Sequence, residues 1–217
     1  MDLALARFNM VEQQIRPWEV LDERVLELLE ASPREEFVPE GWRPLAYADL
    51  SIPLGHGEAM MPPKVEARLL QAVRVQPGDR VLEIGTGSGY LTYLLTRLGG
   101  RVFSVDIHED FVERARASLA AQGVEGVSLE VGDAARGWDA HGPYDVIAVT
   151  GSVPMLTGDF ERSLAVGGRL FVVVGEPPVM EALLITRTAQ DGYVRESLFE
   201  TDLRPLVNAP RPERFAF

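Results

Sequence analysis

The sequence predicts an α/β protein: a mostly parallel sheet with one antiparallel strand at its end, helices on both faces, and an N-terminal helical elaboration. Three observations carry that prediction. Short apolar, β-branched runs alternate with longer stretches of helical periodicity through most of residues 77–206. The run 81–84 passes through Gly85-Thr86-Gly87-Ser88-Gly89 directly into a helix-periodic stretch at 90–98. Finally, Asp191-Gly192 separates two strand-like runs, a hairpin signal that closes the sheet antiparallel.

Taken in order, residues 3–16 place Leu3, Leu5, Phe8, Val11 and Ile15 near helical spacing before Pro17. Asp22 caps a helix over 23–31, and 33–39 is a short element or turn. Residues 40–63 hold glycines, prolines and aromatics without sustained periodicity. Their apolar content (Trp42, Leu45, Tyr47, Ile52, Leu54, Met60, Met61) predicts an ordered loop packed on the domain. A proline-initiated helix follows over 63–75. The α/β unit then reads as strand 81–84, helix 90–98, strand 101–106, helix 109–122, strands 126–131 and 144–149, helix 160–165, strand 168–174, and the hairpin runs 182–188 and 193–200. One domain is expected over 1–217. Residues 1–76 supply helices and a loop, 77–206 the core, and 207–217 a tail bearing Phe215 and Phe217, which frays, folds back on the sheet or covers the site.

The strand–glycine–helix junction has two readings. It is either a tight turn that needs glycine for its φ angles and binds nothing, or one whose N–H groups approach a nucleotide closely. Two residues favour the second. Asp106 ends the next strand about twenty residues on, where a carboxylate accepts from a ribose diol. Glu83 sits within a strand expected to be buried on both faces, where an unpaired carboxylate is costly. Dinucleotide enzymes carry G-x-G-x-x-G, whereas here the glycines run G-x-G-x-G behind an acidic residue.

Composition narrows the classes. A hydrophobic share of 46% and a charged share of 25% are those of an ordinary globular chain. With no cysteine, disulfides, thiolate metal sites and a cysteine nucleophile are excluded. A net charge of −12 argues against a nucleic-acid partner. Charges in the first helix break any signal-peptide core, and no apolar run is long enough to cross a bilayer, so no membrane partner and a cytoplasmic location are expected.

The glycine pattern resembles the first motif of class I S-adenosylmethionine-dependent methyltransferases. A longer series is similar to the protein-L-isoaspartate O-methyltransferase family: Pro33-Arg-Glu-Glu-Phe-Val-Pro39, Ala46-Tyr-Ala-Asp49, Ile52-Pro-Leu-Gly-His-Gly57, Val81 to Tyr90, Gly132-Asp133 with Gly137-Trp138, and Pro205-Leu206. The match runs from about Met10 to Leu206. It implies a Rossmann-like sheet, S-adenosylmethionine as cofactor, no metal, and methyl transfer to a carboxylate of a protein or peptide with an isoaspartyl-like residue. Carried over, Glu83 and Gly85 lie at the methionine end, Thr86, Gly87 and Gly89 shape the turn, Asp106 and Ile107 meet the ribose, and Gly132, Asp133 and Ala134 meet the adenine. Ala134 replaces the family's usual glycine, which narrows the adenine pocket. The loop around Gly55 to Met61 closes over the methyl group.

That loop departs from the family. Where it reads Gly-Gln-Thr-Ile-Ser, this chain reads Gly57-Glu58-Ala59-Met60-Met61, so both hydroxyls that handle the acceptor carboxylate are gone. Glu58 repels a carboxylate unless it is protonated or paired. The acceptor-side candidates are therefore His56, Glu58 and Met61. His56 orients or deprotonates a hydroxyl acceptor, or is incidental; Met60 and Met61 are packing residues or line an apolar acceptor pocket. Lys64 and Arg68 pair with Glu58 or an acceptor carboxylate, or are solvated. Thr150 and Ser152, past the fourth strand, stand where ligands bind and offer replacement hydroxyls. Beside carboxylate methylation, two functions stay open: an O-methyltransferase with a different small-molecule or protein acceptor, and a catalytically silent cofactor-binding module. A dehydrogenase comes last. A monomer or weak homo-oligomer is expected.

Overall fold

The computed structural model describes residues 2–212; the tail aromatics Phe215 and Phe217 lie outside the described residues. The chain begins with α1 (Leu3–Met10), where the Asp2 carboxylate accepts the Leu5 N–H at 3.1 Å. It continues through a π turn and a 3-10 turn to Trp18. In α2 (Glu23–Ala31), Asp22 caps as predicted, accepting the Arg24 N–H at 3.0 Å. The stretch 40–63 is ordered and packed as expected, but it is not without regular structure. After a 3-10 segment it forms a hairpin of β1 (Ile52–Gly55) and β2 (Glu58–Met60). The turn residues His56 and Gly57 both have positive φ, 53° and 82°, the primed geometry of two-residue hairpins. A histidine in place of asparagine hid that signal.

The core follows as α3 (Pro63–Val73), β3 (Arg80–Ile84), α4 (Tyr90–Arg97), β4 (Arg101–Asp106), α5 (Glu109–Ala121), β5 (Ser128–Val131), β6 (Tyr144–Val153), α6 (Asp159–Arg162), β7 (Leu164–Glu176), β8 (Val179–Ala189) and β9 (Gly192–Thr201). The seven-stranded sheet has the order β5-β4-β3-β6-β7-β8-β9. β8 pairs antiparallel with both neighbours, so it alone runs against the rest. One antiparallel strand was expected at the end; it is the penultimate strand, and β9 at the edge resumes the common direction. The helix predicted over 160–165 is a single turn, because Leu164 and Ala165 already belong to β7 and Leu164 pairs with Tyr144.

Alternation at period two sorts the strands onto two faces. Val81, Val146, Ala148 and Phe171 pack with Leu69, Leu70 and Val73 of α3 and Leu91, Leu94 and Leu95 of α4. Leu82, Ile84, Ile147, Val149 and Leu170 pack instead with Phe160 of α6 and with Trp138. Helices thus lie on both faces, but unequally. Much of the second face is covered by the loop after β5, where the Trp138 indole covers Gly132 and donates to Glu130 at 3.0 Å.

Candidate active site

Consecutive strands run outward from β3 in one direction through β4 and β5, and β6 lies on its other side. The carboxyl ends around that reversal form a cleft, the usual ligand position in such sheets. The cleft encloses about 520 Å³, within the range of a small-molecule site.

The glycine turn forms its floor. Gly85 has φ 94°, and a side chain there would collide with the Thr150 hydroxyl. That hydroxyl is held 2.9 Å from the carbonyl oxygens of both Ile84 and Gly85. Gly89, with φ 81°, lets α4 approach α5, since a Cβ there would lie 2.9 Å from the Ala115 Cβ. Asp106 braces the turn from β4. Its Oδ2 accepts the Gly87 N–H at 2.8 Å and its Oδ1 the His108 N–H at 2.9 Å. A carboxylate has about four lone-pair sites, so acceptor capacity remains toward the cleft.

Of the predicted cofactor residues, Gly85, Gly87, Asp106, Ile107, Gly132, Asp133, Ala134 and Thr150 line this one cavity. Glu83, Thr86 and Gly89 do not. Thr86 is buried, with its hydroxyl 2.7 Å from the Ser104 hydroxyl. Glu83 is fully buried on the helical side of β3, where its Oε2 accepts from Thr92 and, at 2.6 Å, from Ser104. It therefore acts beneath the turn and does not touch the cavity. Burial pushes the Glu83 carboxyl up to about 8; the two hydroxyls oppose the shift, and the negative charges of Asp106 and Glu66 add to it.

That shift has a consequence for stability. The folded value stands above the ordinary 4.5, so between the two the folded chain keeps a proton that the unfolded chain has released. The associated stability is complete below the ordinary value and is lost as pH rises toward about 8, at roughly 1 kcal/mol per pH unit. Urea unfolding at about pH 5 and about pH 8 should show this decline in the wild type and a flatter profile in Glu83→Gln. Equal slopes in the two proteins would mean that Glu83 is ionised in the fold.

The hairpin forms the opposite wall, with Leu54, Glu58, Ala59 and Met61 lining the cavity. Met60 and Met61 are both buried, and only Met61 reaches the cleft. Burial raises the Glu58 carboxyl; the neighbouring His108, Arg204 and His56 side chains oppose this, and Asp106 adds to it. His56 lies outside the cavity lining. Its Nε2 is 3.0 Å from Asp110 Oδ1 and its ring stacks on His108 at 4.2 Å, so it latches the hairpin tip to the start of α5. Arg34 anchors the hairpin's far end. Fully buried, it donates to the Ala46 carbonyl at 2.9 Å, to the Met61 carbonyl at 2.6 Å and to Glu66.

Several acceptor-side expectations are corrected by this geometry. Lys64 pairs with Asp49 at 2.7 Å and lies over the Trp18 ring. Arg68 donates to the Trp18 carbonyl at 2.8 Å and covers Phe199. Neither lines the cleft, and neither is merely solvated. Ser152 is buried and donates to the Leu203 carbonyl at 2.9 Å, so its hydroxyl is unavailable. Residues 203–208 form a strap along the cleft, ending where the Asn208 amide donates to Asp133 at 2.9 Å. To that extent the tail folds back. Sequence reasoning did not single out Ser51, His108 or Arg204, all of which line the cavity. Only position offered a signal: His108 is two residues past Asp106, and Arg204 immediately precedes the Pro205-Leu206 motif.

The family model for protein-L-isoaspartate(D-aspartate) O-methyltransferase matches residues 6–209. The protein-L-isoaspartate O-methyltransferase of Aeropyrum pernix is 40% identical over 195 residues, covering 88% of this chain and 75% of its own. Protein-L-isoaspartate O-methyltransferase 1 of Rhodopseudomonas palustris is 38% identical over 205 residues, covering 94% and 84%. Among solved structures, a putative protein-L-isoaspartate O-methyltransferase from Plasmodium falciparum in complex with S-adenosyl-L-homocysteine has a TM-score of 0.80 at 19% identity. It covers 93% of this chain and 98% of its own, a likeness of fold. A second, a protein-L-isoaspartate O-methyltransferase at 27% identity, has a TM-score of 0.76 and covers 92% of this chain and 65% of its own. A model match over most of the sequence, together with relatives at this identity, establishes that the chain belongs to the protein-L-isoaspartate(D-aspartate) O-methyltransferase family.

Proposed function

We propose that this protein is an S-adenosylmethionine-dependent O-methyltransferase that methylates the free carboxylate of isoaspartyl residues in proteins or peptides. Family membership supports the reading, and one observation carries it: the glycine turn, Asp106 and Asp133 face a single cavity whose opposite wall is the rebuilt hairpin. The residues present fit the cofactor. Asp106 keeps acceptor capacity that would serve the ribose hydroxyls, Gly132, Asp133 and Ala134 line the cavity where they would hold the adenine, and Gly85 and Gly87 would leave room for the methionine end.

The bound cofactor supplies a methyl group already activated on a sulfonium. An ionised carboxylate is already a nucleophile, so the chain's task is to position it and to exclude water. Leu54, Ala59 and Met61 present apolar surface to the cavity for that purpose. Thr150, tied to the Ile84 and Gly85 carbonyls, keeps the floor of the turn in place. The reading takes residues 1–217 as one methyltransferase domain acting in the cytoplasm, as a monomer or weak homo-oligomer. No described helix is long and apolar enough to cross a membrane.

A second reading, a different acceptor on the same scaffold, is favoured by the replacement of hydroxyls with Ala59 and Met61 on the cavity wall. One experiment separates the two. Radiolabelled S-adenosylmethionine is supplied with an isoaspartyl peptide or its aspartyl twin, after cofactor binding has been confirmed by calorimetry. Base-labile label on the isoaspartyl peptide alone is the expected result. Cofactor binding without transfer would transfer support to another acceptor or to a silent module.

A further inference from the structure

We propose that Arg204 receives the acceptor's carboxylate and sets the acceptor specificity of this enzyme, a role that rests on the carboxylate methylation proposed above. The cavity wall carries four carboxylates, those of Glu58, Asp106, Asp133 and Asp202. Among the described lining residues, Arg204 is the one permanently charged cation. An anionic acceptor entering this cleft therefore meets a negative wall, and one side chain can offset it without depending on pH.

The arginine is built to be available. Its backbone is fixed at the end of β6: the Ser152 N–H donates to the Arg204 carbonyl at 2.8 Å, and the Leu206 N–H donates to the Ser152 carbonyl at 2.9 Å. Met180 Sδ accepts from the Leu203 N–H at 3.4 Å. The residue is exposed, and no described residue hydrogen-bonds or ion-pairs with its guanidinium. The aspartates Asp106 and Asp133 are already engaged. Asp106 accepts the N–H groups of Gly87 and His108, Asp133 accepts that of Ala135, and Asp133 also holds Asn208. Glu58 lines the same cavity, and Arg204 is among the groups that oppose the burial-driven rise of its carboxyl.

Topology separates Arg204 from the nucleoside side of the cleft. The residues proposed to hold the nucleoside follow β4 and β5, whereas Arg204 is pinned to β6, beyond β3. Among the described lining residues no other permanently charged group supplies the same contact. The Thr150 and Ser152 hydroxyls are committed to carbonyl oxygens, and Lys64 and Arg68 lie outside the cavity. Ser51 lines the wall but brings no charge. A guanidinium fork offers two parallel N–H donors to a carboxylate, which orients the acceptor as well as attracting it.

The test compares wild type with Arg204→Gln, Arg204→Lys and Glu58→Gln. It measures KM and kcat for an isoaspartyl peptide, peptide binding to the S-adenosylhomocysteine-loaded protein, and affinity for S-adenosylhomocysteine alone. Expected is a KM raised about tenfold in Arg204→Gln, with kcat and cofactor affinity changed far less. Arg204→Lys should fall between, keeping the charge and losing the fork. Glu58→Gln should lower KM below wild type by removing the opposing charge. Salt should raise the wild-type KM more steeply than that of Arg204→Gln.

An Arg204→Gln KM within about twofold of wild type would overturn the assignment while leaving the methyltransferase reading intact. Cofactor affinity falling as much as KM rises would also overturn it, because Arg204 would then serve the cofactor's own carboxylate. Wild type that binds cofactor but neither binds nor methylates the peptide would overturn the proposed function, and this proposal with it.

Discussion

Replacing Asp106 with alanine should weaken cofactor binding about 100-fold or more. The carboxylate does two jobs. It accepts the Gly87 N–H at 2.8 Å and the His108 N–H at 2.9 Å, which holds the turn and the next loop against each other. Its remaining lone pairs face the cavity, where a ribose diol offers two donors. Hydrogen bonds to a charged acceptor contribute roughly 1.5–3 kcal/mol each, so losing two exceeds a hundredfold even after partial compensation by water. Calorimetric titration with S-adenosylhomocysteine reads the effect. Asp106→Asn, which keeps one carbonyl acceptor and loses the charge, should fall between alanine and wild type. If affinity stays within about threefold while thermal stability drops, the residue braces the turn and does not bind ligand.

The second large effect is one of stability. Arg34→Met should destabilise the fold by about 3–5 kcal/mol, because it leaves a buried carboxylate without its partner. Arg34 is fully buried, Glu66 nearly so, and the guanidinium also satisfies the carbonyls of Ala46 and Met61. Its carbon centre lies 4.9 Å from the centroid of the Tyr90 ring at the start of α4. Burial raises the Glu66 carboxyl and the Arg34 charge draws it back, so methionine removes the influence that favours the ionised form. The double variant Arg34→Met/Glu66→Leu should recover much of the loss, since an apolar pair needs no counter-charge. Denaturant unfolding of the three proteins checks this; a single-variant loss below about 1 kcal/mol would show that Glu66 is protonated in the wild type. Because Arg34 holds the Met61 carbonyl, the single variant should also loosen the hairpin wall and raise KM for the acceptor.

How legible these features were in the sequence depended on how far apart their partners lie. The capped helix α2, the glycine turn and the strand ending in Asp106 are local, with each signal contained within a few residues of the element it specifies. The short apolar runs likewise marked β3, β6 and β7 as buried strands, and their side chains are divided between cores on the two faces of the sheet. The hairpin β1–β2 escaped because its turn places a histidine at φ 53° where asparagine or glycine is the familiar signal. Lys64 and Arg68 were weighed as acceptor contacts from their spacing on one helix. Their actual partners, Asp49, Trp18 and Glu19, come from segments separated from α3 in the chain.

Local order in the chain was enough to specify an α/β sheet with a glycine turn, an acid at the end of the neighbouring strand, and family membership, because backbone geometry and hydrophobic period are written residue by residue. Which side chains share the cleft was a matter of tertiary structure. Glu83 turns away from the cavity that its neighbour Ile84 lines, since successive residues of a strand point to opposite faces. Arg204, more than a hundred residues from the turn, reaches the same cavity because the strap after β9 is hydrogen-bonded to the end of β6. The burial that lifts Glu83 and the negative wall that isolates Arg204 arise only when distant segments pack together and exclude water.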